Sequence, residues 1–539
     1  MSIKKIYGKL LSTENTFLVL SVLLFLWIRF HHFNIPLECD EGEYAYAGQE
    51  ILRGKLPYKD FYNMKFPGTY YFYSLIFYFL GDSNTSIKII LLFINLSSAC
   101  FVYGIARIWY NKQIGKLAAG IFLIFCSCYS AQGWTANSEH FVVFFGVIGI
   151  YFSALYALRQ KFFYLFFAGF FLAVATLCKQ QGFMYAIFPI FQLLIHKTTF
   201  NWRRIFTLTF LRAIAIYAIG FIIPVGSMIV YFYKKNILDD FYFFALKYAF
   251  AYINLKTPII GVVHFRHIVW DGLGFWLLFF AFIYNAFRYN GYYKKHLNSL
   301  LFLSCTFIAT SFGWYYRPHY FQLMFPPSAI MSAYVLKNIT DLSKYKYLNV
   351  TTYTIFSFLL VIILQLNYIF IGSSEKISDL MYGITSYNTT RMIGEKIKTN
   401  FKDRHYNIGM IGSDPEIFFY SQLRSKTGFM YMYPLFENQQ YASAFTNKFK
   451  EEFDNNRPEI MIYFYDFSFG KNKKNIDNIT NWYLDELKNY IAIGKVDTIS
   501  GKEYLKWVQK GQDSVDLNRN SIDKIYLRKD IKIPDNFYE

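Results

Sequence analysis

The chain has 539 residues, 54% of them hydrophobic, 22% aromatic and only 17% charged, where an ordinary soluble domain carries about a quarter charged residues. That balance excludes a water-soluble globule for most of the length. The formal charge of +19 does not call for nucleic acid, because the lysines and arginines of a polytopic membrane protein gather in its cytoplasmic loops.

A membrane-spanning helix needs about 20 apolar residues, and such runs fall near 15–34, 86–108, 114–133, 139–158, 162–178, 182–196, 205–232, 268–287, 298–315, 320–337 and 349–371. About eleven transmembrane helices are therefore predicted. Between the first two lies an outer loop, 35–68, and then a short apolar stretch, 66–81, which Pro67 starts and Gly81 stops. It reads as a juxtamembrane helix. One alternate set of loops carries Lys4, Lys5, Lys9, Arg107, Lys112, Lys116, Arg159, Lys161, Lys197, Arg203, Arg204, Arg288, Lys294, Lys295, Lys337, Lys344 and Lys346, with almost no acid. This side is expected to be cytoplasmic. An odd number of spans starting inside then leaves the C-terminus outside, in an inner-membrane, multi-pass arrangement. The first apolar run lacks a small-residue cleavage site and reads as a retained span.

Residues 1–374 thus form a predicted membrane domain. From 375 to 539 the composition turns polar, and an extracytoplasmic, soluble α/β domain is expected, with strands at 407–411 and 460–465 and helices at 438–453 and 479–493. The six cysteines all precede residue 306 and lack zinc spacing, so they read as apolar packing residues.

The unusual polar residues collect on the predicted outer face. Glu38-Cys39-Asp40-Glu41-Gly42-Glu43-Tyr44-Ala45-Tyr46 opens the first outer loop, and Asn63-Met64-Lys65-Phe66-Pro67-Gly68 closes it. Asp40 and Glu41 can take a proton or orient an acceptor. Lys65, at a helix N-terminus, suits a phosphate, as do the outer cations Lys179 and Arg317, the latter next to His319. Glu139 stands at the outer start of a span, where an ionisable group is costly enough to suggest a role. Glu43, Tyr44 and Tyr46 would line the substrate loop, with Arg266 and His267 as weaker candidates. Hard oxygen ligands on Glu38, Asp40 and Glu43 allow a divalent metal ion, although no metal-loop pattern defines one.

These residues together resemble the GT-C membrane glycosyltransferases, in particular the dolichyl-phosphate-mannose protein mannosyltransferase-like group that includes the aminoarabinose transferases of lipid A. Carrying the resemblance are Asp40-Glu41-Gly42-Glu43-Tyr44-Ala45-Tyr46-Ala47-Gly48, Lys65-Phe66-Pro67-Gly68-Thr69-Tyr70-Tyr71, Asn137-Ser138-Glu139, Lys179-Gln180 and Arg317-Pro318-His319-Tyr320-Phe321. Phe66 stands where many relatives carry proline. The resemblance implies a polyprenyl-phosphate sugar donor, an envelope lipid, glycan or protein acceptor at the outer face, inversion, and no required cofactor. It makes Asp40 the general base with Glu41 as its neighbour, Glu139 a second carboxylate, and Lys65 and Arg317 donor-phosphate contacts. The rival readings are a transporter or lipid flippase coupled through the outer carboxylates, and an envelope scaffold. Transporters place such groups near the bilayer midplane, commonly with internal repeats, and this sequence shows neither feature.

Overall fold

In the computed structural model, residues 12–196, 199–253, 259–339, 349–382, 387–401, 405–455, 457–464, 472–499, 502–518 and 521–538 are described. The basic residues predicted at 4, 5, 9, 197, 344 and 346 lie outside them, as does the end of the predicted 460–465 strand. Every predicted apolar run contains a helix: α1 (Thr13–His31), α4 (Asn84–Trp109), α5 (Lys112–Phe125), α6 (Ser138–Arg159), α7 (Phe163–Cys178), α8 (Gly182–Leu194), α9 (Leu208–Lys234), α11 (Leu273–Arg288), α12 (Leu297–Ser311), α13 (Phe325–Lys337) and α14 (Val350–Leu364). Polar caps set several of the starts. The side chains of Ser12, Ser83, Asn111 and Asn349 accept first-turn N–H groups of α1, α4, α5 and α14.

Among the described residues, five helices are long and apolar enough to cross a membrane, or six if one bent pair counts as a single span. That pair is α10 (Ile259–Asp271) and α11, which meet at 116° with Gly272 between them. The predicted 268–287 span therefore starts late, and part of the predicted 233–267 loop is helical. Arg266 and His267 sit exposed on α10.

The predicted first outer loop is also not a plain loop, for α2 (Cys39–Leu52) and α3 (Gly68–Leu80) fold from residues 35–81 and pack on each other. α3 keeps the predicted limits, with Pro67 at its N-cap and Gly81 at its end in the left-handed region at φ 84°. The α2 helix was hidden because its N-cap is a glutamate. Glu38 accepts the Glu41 N–H at 3.1 Å while Glu41 accepts the Glu38 N–H at 3.4 Å, a reciprocal capping box.

The helix ends sort into two sets. At one end Lys337 pairs with Glu14 at 2.7 Å, Lys116 reaches Asn15, and Tyr110 meets His296. At the other end the α2–α3 segment meets residues 126–139, 179–181 and 316–322. The C-terminal region builds a six-stranded sheet from β1 (Asn407–Ile411), β2 (Arg424–Ser425), β3 (Ile460–Tyr463), β4 (Tyr490–Ile499), β5 (Lys502–Trp507) and β6 (Ser521–Arg528), in the order β2-β1-β3-β6-β4-β5. β1 runs parallel to β2 and β3, and the remaining pairs are antiparallel. The predicted 438–453 helix is Ala442–Asp454, whereas the predicted 479–493 helix divides into a helix, Lys473–Glu486, and the start of β4. Tyr490-Ile491-Ala492-Ile493 is a short continuous apolar run followed by Gly494, and it suits a buried strand better than a one-sided helix stripe. This region rests on α2. At Gly42 a Cβ would lie 2.4 Å from Glu416 Cβ, so glycine is what lets the two backbones meet.

Candidate active site

Helical spacing decides which acids of α2 face one another. Residues three apart share a helix face and adjacent ones do not. Asp40 and Glu43 therefore point to one side and Glu41 to another. On the first side the Lys65 ammonium donates to Asp40 Oδ1 at 2.7 Å and to Glu43 Oε2 at 2.6 Å, and lies 4.5 Å from the centre of the Tyr44 ring. Lys65 is presented by the strap between α2 and α3. Asn63 Oδ1 accepts the Met64 N–H at 2.6 Å, and the Tyr58 hydroxyl donates to the Lys65 carbonyl at 2.8 Å. Gly68 lets that strap approach the end of α7, since a Cβ there would lie 2.6 Å from the Leu177 backbone. The neighbouring Thr69 donates to the Cys178 carbonyl at 3.0 Å. This close approach brings Lys65 beside Lys179.

Lys179 donates to Glu139 at 2.5 Å and stacks on the Tyr320 ring at 4.4 Å. His319 stands between the two acid groups, its Nε2 3.8 Å from Asp40 and 4.0 Å from Glu139 and its Nδ1 2.7 Å from Gln132 Oε1. Tyr44 joins the same cluster through Ser138 at 3.1 Å. Arg317 lies 5.9 Å from the Tyr315 ring, and among the described residues no carboxylate is within ion-pair distance of it. Lys65 and Lys179, by contrast, hold carboxylates.

The electrostatics separate the acids. Burial pushes the Asp40 carboxyl up, but Lys65 first, then His319 and Lys179, outweigh it and hold the group well below the usual carboxylate range. Burial lowers His319 to about 4 against the pull of Glu139, so the imidazole is neutral at pH 7 and the two lysines do most of the holding. Glu43 goes the other way. Burial and the Asp40 charge raise it despite Lys65.

Two residues predicted for the site lie elsewhere. Glu41 is fully buried on the far side of α2, where it accepts from Lys88 at 2.7 Å and from the Ala136 N–H at 2.5 Å. It ties α2 to the segment leading to Glu139 and does not sit beside Asp40 in the cluster. Tyr46 turns to the C-terminal region, its hydroxyl accepting the Ser425 N–H at 2.9 Å and its ring packing on Phe418. The divalent-metal option fits poorly. The oxygens of Asp40 and Glu43 that converge are filled by the Lys65 ammonium, Glu38 is spent on capping, and no group of three ligand side chains converges among the described residues. Two members of the cluster have no signal in the sequence, Gln132 beside His319 and Tyr431, whose hydroxyl donates to Glu43 at 2.8 Å; Asn63 and Tyr70, which also donate to Glu43, stand in the Lys65 motif without a role assigned there.

Residues 65–227 match the family "Dolichyl-phosphate-mannose-protein mannosyltransferase". The match takes in Lys65, Glu139 and Lys179 and stops short of Asp40 and Arg317. Among solved structures, ArnT from Cupriavidus metallidurans in the apo state superposes with a TM-score of 0.59 at 12% identity, over 92% of this chain and 98% of that one. The same protein bound to undecaprenyl phosphate gives 0.56 at 11% identity, over 91% and 97%. The chain has the GT-C fold. The archaeal oligosaccharyltransferase AglB from Archaeoglobus fulgidus, in complex with an inhibitory peptide and a dolichol-phosphate, matches at 0.50 with 13% identity, over 100% of this chain and 77% of that one. No curated protein matches the sequence. The resemblance to the GT-C mannosyltransferase and ArnT-like group, carried in the sequence by short motifs, thus extends to the fold of nearly the whole chain.

Proposed function

We propose that this chain is a membrane glycosyltransferase that moves a sugar from a polyprenyl-phosphate donor to an envelope lipid, glycan or protein at the outer face, without a required cofactor. The observation that carries the reading is Asp40. It is ionised at neutral pH, shares one oxygen with Lys65, and has its other oxygen 3.8 Å from the neutral His319. In the proposed step the acceptor hydroxyl gives its proton to Asp40 Oδ2 as its oxygen bonds to the anomeric carbon. The bond from that carbon to the phosphate oxygen breaks, and polyprenyl phosphate leaves with the electron pair. Arg317, helped by Lys179 and Lys65, would stabilise the charge that develops on the phosphate. An aspartate is a weak base, so in-line positioning of donor and acceptor supplies much of the rate.

The reading includes eleven spans, a membrane domain over 1–374 and an extracytoplasmic domain over 375–539, with the N-terminus cytoplasmic by the positive-inside rule. It is tested by reconstituting the protein in lipid with a panel of polyprenyl-phosphate sugars and envelope lipid extract. Labelled product is expected from the wild type and a loss of at least ~100-fold from Asp40→Asn. Full activity in a folded Asp40→Asn protein refutes Asp40 as base. Solute or lipid movement without any product supports the transporter instead.

A further inference from the structure

Glu43 is saturated with donors. Its Oε1 accepts from Tyr70 and, at 2.6 Å, from Asn63, and its Oε2 accepts from Lys65 at 2.6 Å and from Tyr431 at 2.8 Å. A carboxylate offers about four lone-pair positions, so this one has no room to take a proton from a substrate. It works as a clamp on Lys65. Three of its donors come from the strap and from α3. The fourth comes from the C-terminal region, 388 residues away in the chain. The Tyr431 hydroxyl also stands 3.3 Å from Asp40 Oδ1 and 3.2 Å from the Cys39 carbonyl.

The sheet fixes where this phenol sits. Beyond the end of β1, the Met432 N–H donates to the Gly412 carbonyl at 3.1 Å and to Ser413 Oγ at 3.1 Å, and the Tyr431 ring packs 5.1 Å from that of Tyr433. Cys39 closes the junction from the other side, its thiol donating to the Ser413 carbonyl at 3.0 Å.

We propose that Tyr431 is a positioning residue through which the C-terminal region keeps the Lys65 ammonium shared between Glu43 and Asp40. Its hydroxyl neutralises part of the Glu43 charge, which leaves the Lys65 ammonium shared with Asp40 instead of drawn wholly to Glu43. Removing the hydroxyl makes Glu43 the stronger partner for Lys65 and takes a donor from beside Asp40 Oδ1. Both changes favour a proton on Asp40. The region is thereby a working part of the site, and transfer requires it to be docked.

The kinetic part of the test rests on the glycosyl-transfer reading, so a second measurement is independent of it. Tyr431→Phe keeps the ring and its packing. Expected is a fall in kcat of about tenfold with the donor KM little changed, the equivalent of one hydrogen bond to a charged group. The second measurement follows protonation of the Asp40 carboxyl by infrared difference spectroscopy, with Asp40→Asn to assign the band. Its midpoint should rise by about one pH unit in Tyr431→Phe. A 3-fluorotyrosine placed at 431, a stronger donor, should move it down. If neither replacement moves the midpoint in folded protein, the proposal is overturned. If the midpoint moves but no donor yields product with wild type, Tyr431 keeps its positioning role and the transfer reading falls.

Discussion

Replacing Lys88 by methionine tests the buried pair that holds α2 against the rest of the bundle. Lys88 and Glu41 meet at 2.7 Å with side-chain exposures of 5% and 0%. Glu41 also accepts the Ala136 N–H, so Lys88→Met leaves a carboxylate without its counter-ion in a site that water does not reach. Breaking such a pair from one side costs ~3–5 kcal/mol, whereas removing both charges is often close to neutral. Lys88→Met alone should therefore lower stability by ~3–5 kcal/mol, a large part of the ~5–15 kcal/mol of a typical domain. Adding Glu41→Gln should restore most of it, because the amide oxygen can still accept the Ala136 N–H. Thermal unfolding of all four proteins in lipid nanodiscs closes the double-mutant cycle. A Lys88→Met protein that melts with the wild type, or a double variant no better than the sum of the singles, would refute the assignment of Glu41 as a buried anchor.

Gly42→Val should undock the C-terminal region, because even the first added carbon would fall 2.4–2.6 Å from Glu416 backbone and Cβ atoms; limited proteolysis should then release that region faster than in wild type, and an unchanged cleavage rate would contradict the docked arrangement. The pH profile of transfer follows from Asp40. Its folded pKa is depressed, so the ionised form and the stability it contributes are present above the unfolded value of about 3.9 and are lost only as pH falls through the lower folded value. Activity should hence show no acid limb from Asp40 between pH 5 and 8, and His319, lowered to about 4, should add none there; a limb near pH 6.5 abolished by His319→Gln would contradict the His319 assignment, and one that persists in that variant but is lost in Asp40→Glu would contradict the Asp40 assignment.

The long apolar runs and their caps act over a few residues, and that is why α1, α4, α6 and the Pro67-to-Gly81 limits of α3 could be read from the sequence alone. Lys65, Asp40, Glu139, Lys179 and His319 were also legible as a group, since polar residues among apolar ones stand out and the cost of burying them brings them together. Other features depended on partners far along the chain. Nothing near Glu41 tells that Lys88 will draw it away from Asp40, and nothing marks Tyr431 among 48 tyrosines as one that reaches Glu43 from the C-terminal region. The helix in the first outer loop lay between these cases, because a glutamate cap is locally encoded but weak, and packing on α3 and the C-terminal region stabilises what the cap begins. Sequence by itself determined which charges had to be buried together at one end of the bundle. Tertiary structure decided which of them pair, because a buried charge takes the partner that the packing of distant segments brings within hydrogen-bond reach.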